Sequence, residues 1–353
     1  MPSYRDLAMP GRSETWRALR GLRADPPGVA ASDKDRGKTF QAALEQSQQL
    51  MEAAEGAGHA TRPIQVFYAL SQAGRAIAAV STRLPSTTQI PDRSNPGAMV
   101  SATVDWKLKG HGITAPVTNV KRAGQIVVRA DWTGLLPGVA MALGLSCLGA
   151  GEKVKVGDLW PLIWETRRPG CSLVDDSECP ALCLAGGSRT GVSTATAGLF
   201  TAKLDGIPDS VRSRIGTDQT ELGAFLDLYP SLNGWAHRPF SGGSAPIDWE
   251  HDGSIQLSWT HPDTLEQQGV LYRGHDLLAT PRIGGMARPL DPFIAWWSVL
   301  FALSMMARYE PSNWAGMIDI NSSKDANAIE HLLDQALDAV PHLVLEAIGI
   351  AAP

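Results

Sequence analysis

Apolar residues recur at helical spacing near both ends of the chain. From Lys38 to Glu55, the residues Phe40, Leu44, Ser47, Met51 and Ala54 follow at steps of four and three, while Glu45, Gln48, Gln49 and Glu52 face away. That 3.6-residue period predicts an amphipathic helix with one core-facing stripe. Thr61 to Thr82 predicts a second helix, with Pro63 in its first turn, where a missing N–H costs little. Val66, Leu70, Ala73, Ile77 and Val80 form its stripe, and Ile64 and Phe67 extend the apolar surface to another side. A helix apolar nearly all round belongs in the interior, so its polar positions carry information. Arg62, Gln65, Tyr68, Gln72 and Arg75 make a single polar seam along it. Near the other end, Asp291 to Tyr309 is the most apolar helix, closed by Arg308 with Ser304 one turn before it. Glu310 precedes Pro311, and a residue in that position disfavours the α region, so the helix should stop there. Asp325 to Val340 again shows core spacing, and Pro341 is expected to break or kink it before a last apolar turn.

Weaker patterns fill the rest. Ser13 to Arg23 reads as a short helix stopped by the Asp25-Pro26-Pro27-Gly28 turn. Pro85 to Pro96 reads as a loop, and Lys107 to Ile113 as a tight segment set by Gly110 and Gly112. Gln125 to Arg129 has the β-branched content of a strand, and Asp158 is placed to cap a helix through Trp160, Ile163 and Trp164. The apolar run Val139 to Leu148 fits either a strand or a helix. From Pro169 to Arg288 the chain is rich in Gly, Pro, Ser and Thr, with short β-like runs at Ala181–Ala185, Gly198–Leu204, Ser254–Thr260 and Val270–Tyr272. The expected architecture is therefore α+β and predominantly helical, with buried N- and C-terminal helices packed together and a smaller β-containing middle region. Its expected divisions are residues 1–168, 169–288 and 289–353.

Charge and composition narrow the function classes. The net charge of −5 argues against a general polyanion binder, because backbone affinity for nucleic acid comes from clustered Lys and Arg, but it leaves room for a local basic pocket. Met1 to Trp16 has no apolar signal-peptide core, and the longest apolar run, Phe293 to Ala307, is shorter than the ~20 residues a membrane span needs. A cytoplasmic chain without a membrane segment is expected. Cys147, Cys171, Cys179 and Cys183 lack the paired spacing of a zinc site and read as small apolar residues in a reducing compartment. No metal or cofactor is expected. The glycine-rich stretch Gly186 to Gly191 lacks the lysine of a P-loop and reads as a turn, and His251-Asp252 and His261-Pro262-Asp263 read as loop residues. The candidate chemistry lies on the seam. Arg62, Gln72, Arg75 and Arg308 could hold a phosphate or carboxylate, with His111 as the candidate catalytic acid or base. The competing structural reading has Arg75 and Arg308 each bind a carboxylate, with Glu310 or Asp319 as candidate partners, or helix-end carbonyls.

Three segments carry a family resemblance: Arg62 to Leu70 with Gly74-Arg75-Ala76-Ile77; the Gly110-His111-Gly112-Ile113 turn; and Pro292 to Pro311 with Trp314 and Asp319. Together they resemble the YaaC-like family over about Phe40 to Leu345. The resemblance implies a bacterial protein and transfers no catalytic residue. A more distant similarity is to HEPN-type ribonucleases, which place an Arg and a His four to six residues apart on one helix. Here Arg308 is followed by Tyr-Glu-Pro-Ser-Asn-Trp, without that His. The leading expectation is a protein that binds a protein partner or a small anionic ligand through the arginine seam, with nucleic acid engaged only through a local pocket. The alternatives are a metal-independent nuclease or nucleotide-acting effector of a bacterial toxin or phage-defence system, and a structural subunit of a larger assembly. The sequence leaves the oligomeric state open.

Overall fold

The helices from the two ends of the chain pack together around one central helix. In a computed structural model, the described residues are 11–353 except 86, 93, 96, 168–169, 174–177, 189–199, 234–246, 248, 260–269, 274–275 and 284–288. The N-terminal helices are α1 (Arg12–Ala24), α2 (Lys34–Glu55) and α3 (Arg62–Val80), followed by α4 (Leu135–Leu143) and the single turn α5 (Val156–Leu159). The middle of the chain carries α6 (Asp209–Ile215) and α7 (Gln219–Leu226), and the C-terminal part α8 (Pro292–Tyr309), α9 (Pro311–Met317) and α10 (Ala326–Ala351). Helix α3 sits at the centre, packed by α2, α4, α8 and α10. The stripe of α2 is wholly buried at Phe40, Leu44, Ser47, Met51 and Ala54. This helix starts earlier than its stripe because the Asp33 carboxylate accepts the Asp35 and Arg36 N–H groups and caps it. α3 and α8 approach closely at Gly74, where a Cβ would lie 2.4 Å from the Trp297 ring.

Among the described residues, three antiparallel sheets accompany the helices: β1 (Thr87–Pro91) with β2 (Met99–Thr103); β3 (Ile113–Thr114), β4 (Val127–Ala130) and β5 (Lys153–Lys155); and five strands in the order β8 (Ile255–Trp259), β7 (Phe200–Asp205), β6 (Leu182–Ser188), β10 (Asp276–Ala279) and β9 (Val270–Tyr272). The five-stranded sheet buries Leu182, Leu204, Ile255 and Leu257 against Val211 and Phe225 in a core of its own, while Cys183, Tyr272 and Leu278 join the main core. A buried cluster ties this sheet to the helices. Tyr272 accepts from the Trp296 indole at 2.9 Å and donates to Glu165, which also pairs with Arg273 at 3.0 Å. The fold is thus α+β and predominantly helical, as the periodicity implies.

Several local expectations are corrected. Pro85–Pro96 is not simply a loop, since β1 lies within it and pairs with β2 from Thr87↔Thr103 to Pro91↔Met99. Most of this hairpin is exposed, so no in–out hydrophobic alternation marks it in the sequence. α10 does not stop at Val340 but runs through Pro341 to Ala351. The proline removes one helical hydrogen bond, and burial of Val340, Pro341, Leu343, Val344, Ala347 and Ile348 around it offsets that cost. Val139–Leu148 resolves into the end of α4, closed by Gly144 in the left-handed region. Asp158 is not an N-cap but lies inside α5, accepting the Lys155 N–H at 3.3 Å. The strand expected at Gln125–Arg129 begins at Val127, because Ala123–Gln125 forms a tight turn anchored by the Asp325 carboxylate on the Ala123 N–H. His261-Pro262-Asp263, part of the Gly186–Gly191 stretch and residues 198–199 lie outside the described residues. Burial pushes the Cys147 thiol up to about 11. No helix among the described residues is long and apolar enough to cross a membrane.

Candidate anion-binding cleft

His111 is placed by a strained turn. Leu108, Gly110 and Gly112 all have positive φ, and the carbonyls of Gly110, His111 and Gly112 accept N–H groups from Leu135, Leu136 and Asp131. Gly112 is required there, since a Cβ would lie 2.5 Å from Pro137. The turn presents the imidazole to Phe67, Tyr68 and Phe301, with ring centroids 5.4, 6.3 and 5.8 Å away. The ring nitrogens of His111 have no hydrogen-bond partner among the described residues. Burial, and then the charges of Arg308 and Arg75, hold the His111 pKa below its ordinary value. The imidazole is therefore neutral at neutral pH.

Arg308 projects from the last turn of α8, where a cation complements the helix dipole. One Nη donates to the Tyr68 hydroxyl at 2.8 Å and the other to the Tyr309 hydroxyl at 3.0 Å, and the guanidinium lies 5.5 and 4.9 Å from the two ring centroids. Among the described residues no carboxylate pairs with it. Glu310 accepts instead from Asn313, Asp319 accepts from Asn321 and Ser322, and the Ser304 hydroxyl donates to the Phe301 carbonyl. A guanidinium has five N–H donors, so most of this one's hydrogen-bonding capacity remains open.

The β3–β5 sheet forms the facing wall. Its register sets Thr114 opposite Arg129 and Arg129 opposite Lys153, so all three side chains point to one face. That face and α8 enclose a cleft of about 680 Å³, lined by His111, Arg129, Lys153, Arg308, Tyr309 and an apolar set that includes Val127, Pro116, Phe301 and Met305. No acidic residue among the described ones lines it. The lining is mostly apolar, and its fixed charges among the described residues are all positive.

The YaaC-like family model matches residues 26–348, nearly the whole chain. The chain belongs to the YaaC-like family. No curated protein and no solved structure shows significant similarity to it. The segments carrying the family resemblance, around Arg62–Ile77, Gly110–Ile113 and Pro292–Pro311, supply α3, the His111 turn and α8 of this YaaC-like chain.

The expected seam divides into three. Arg62 is occupied: Nε bonds the Ala54 and Ala57 carbonyls at 3.1 Å each, Nη2 bonds Ala57 at 2.8 Å, and Nη1 pairs with Asp334. It closes the end of α2 and fastens it to α10, outside the cleft. Tyr68, midway along the seam, is the residue that reaches Arg308. Gln72 and Arg75 line a separate surface groove of about 290 Å³ with Lys38 and Gln46 of α2. Arg75 has no hydrogen-bond or ion-pair partner among the described residues. A further cavity of about 230 Å³ beside α1 contains Arg12, but that cation is already paired with Glu55 and Asp338. Among the described residues no group of three His, Cys, Asp or Glu side chains could hold a metal ion.

Sequence reasoning missed Arg129, Lys153 and Tyr309 as cleft residues. Lys153-Val154-Lys155 alternates as a strand with one charged face does, and Val127-Val128-Arg129 has the β-branched content of a strand. The strand register that brings those faces together is set at long range and is absent from either segment.

Proposed function

We propose that this YaaC-like protein binds a small organic anion in the cleft between α8 and the β3–β5 sheet, with Arg308 as the anchor. The observation that carries this reading is the charge balance of the cleft. Arg308, Arg129 and Lys153 line it without a carboxylate among the described residues, in a chain whose net charge is −5. A half-buried guanidinium held by two phenols, with no carboxylate partner among the described residues, gains from a bound carboxylate or phosphate. Titration calorimetry of the full chain with phenyl phosphate tests this. Wild type should bind, and Arg308→Gln should lose about ten-fold or more, the value of one charge-assisted contact. No detectable binding by wild type, or an unchanged affinity in Arg308→Gln, would sink the proposal.

A second reading, acid–base chemistry on the bound anion, is favoured by one specific observation. His111 is neutral, without a hydrogen-bond partner among the described residues, and lines the same cleft as Arg308. A neutral imidazole beside a fixed cation can take a proton from a hydroxyl while the cation neutralises developing negative charge. In this reading the chain is a metal-independent nuclease or nucleotide-acting enzyme. His111→Ala and Arg308→Ala should then each abolish cleavage of an RNA substrate while the circular dichroism spectrum stays native. Wild type that leaves RNA and nucleotides intact would exclude it.

A further inference from the structure

The β3–β5 sheet carries a charge arrangement that its own stability does not call for. Arg129 and Lys153 are direct cross-strand partners. Side chains in that relation have Cβ atoms about 5 Å apart, and like charges there destabilise the pair. Both are exposed, and neither has an ion-pair partner among the described residues. Lys155 lies two residues further along β5 and presents to the same face. Glu152, the nearest acidic residue in sequence, turns back over Gly149, where a Cβ would meet its carboxylate at 2.6 Å. Two opposed cations without a counter-charge leave a place for an anion between them. Both cations line the same cleft as Arg308 but come from the sheet and not from α8, with Val127, Pro116 and Met305 also in the lining.

We propose that the ligand of this cleft carries two separated anionic groups, one on Arg308 and the other between Arg129 and Lys153, joined by a short apolar body. The inference rests on the anion-binding reading above and narrows the ligand class to organic bis-anions, with bisphosphates as the simplest representatives. The second anion relieves the Arg129–Lys153 repulsion, so its binding is stronger than that of an isolated surface contact. Linking two modest contacts through one body raises affinity because the second is made at high effective concentration.

The test compares hexyl phosphate with hexane-1,6-diyl bisphosphate, each titrated calorimetrically into wild type and into the Arg129→Gln/Lys153→Gln double variant. Wild type should bind the bisphosphate about ten-fold or more tightly than the monophosphate. The double variant should bring the two ligands to within about three-fold of each other, the bisphosphate losing much more affinity than the monophosphate. Both substitutions are at exposed positions, and native circular dichroism with an unchanged or raised urea midpoint verifies folding. Equal affinity of wild type for the two ligands overturns the two-anion inference and leaves the anion-binding reading standing. So does a bisphosphate advantage that survives in the double variant. Failure of wild type to bind either ligand overturns both.

Discussion

Two arginines that look alike in the sequence should differ sharply in what their loss does to stability. Arg62→Met keeps an apolar stem but removes the charge-assisted bonds to the Ala54 and Ala57 carbonyls at the end of α2, together with the Asp334 pair. Hydrogen bonds from a charged donor are worth about 1.5–3 kcal/mol each, but Ala57 is half-buried and water can replace part of the loss. Asp334 is 57% exposed, so its ion pair adds less than about 1 kcal/mol. The expected cost of Arg62→Met is about 2–3 kcal/mol. Arg308→Met loses two bonds to phenols, one of them on Tyr309, which is 57% exposed, and both hydroxyls can turn to water. It also removes a cation without a carboxylate partner among the described residues. The expected cost is at most about 1 kcal/mol.

Urea unfolding followed by tryptophan fluorescence measures both. Trp296, Trp297 and Trp314 are buried in the main core and report on the helical part, which matters because a chain with two hydrophobic clusters need not unfold in one step. The comparison is drawn on that transition alone. Equal destabilisation by the two variants, or a loss above about 2 kcal/mol in Arg308→Met, would refute the reasoning. Arg308 would then be a structural residue, and the cleft would lose its anchor. Residues kept for function at a cost to stability show the opposite pattern, in which removal is neutral or stabilising.

Three further outcomes are expected. Burial raises the Asp291 carboxyl from 3.8 to about 6, so the folded state holds this proton more tightly than the unfolded one. Its contribution to stability therefore grows as pH falls through 6 toward 4, by about 3 kcal/mol, and is lost as pH rises above 6. Asp291→Asn, which can still accept the Phe293 N–H, should flatten that dependence, and its unfolding free energy should exceed wild type at pH 8 and approach it at pH 4; parallel curves would contradict the assignment. Gly112→Ala should cost about 1–3 kcal/mol, from the positive φ together with the Pro137 contact, and should shift the His111 ring resonances; a variant as stable as wild type would show that the turn can relax. Finally, Arg308→Met should raise the His111 pKa, read from its imidazole proton shifts against pH, because one of the two depressing charges is gone; an unchanged or lower value would place Arg308 too far away to act on the ring.

The long apolar helices were legible in the sequence because burial writes a period into it. α2, α3 and α8 bury at least one continuous face along nearly their whole length, and three of the stripe positions in α2, Phe40, Leu44 and Met51, are large side chains that nothing but burial explains. The polar seam was legible for the same reason. Between Arg62 and Arg75, the half-buried positions of α3 are the five seam residues and Ile64. What failed were elements without that imprint. The exposed β1–β2 hairpin has no buried face to encode, and the passage of α10 through Pro341 is decided by packing on both sides of the proline.

The division of the seam arginines was illegible for a different reason. Whether a buried-helix arginine is paired or free depends on which side chain arrives opposite it, and those partners lie far away in the chain. Arg62 is closed by Asp334, 272 residues on, whereas Arg308 meets Tyr68, 240 residues back. Periodicity assigns each arginine to a face of its helix and is silent about what faces it. The nearby acids Glu310 and Asp319 were reasonable partners by proximity in sequence, yet local geometry commits them elsewhere. Glu310 leaves the helical path at the junction of α8 and α9, and Asp319 is held in its own turn by Asn321 and Ser322. Arg308 is thereby left with phenols, which orient a guanidinium without neutralising it. The strands opposite bring Arg129 and Lys153 in place of a carboxylate. The candidate site is thus defined less by the residues that converge than by the acidic residues that do not.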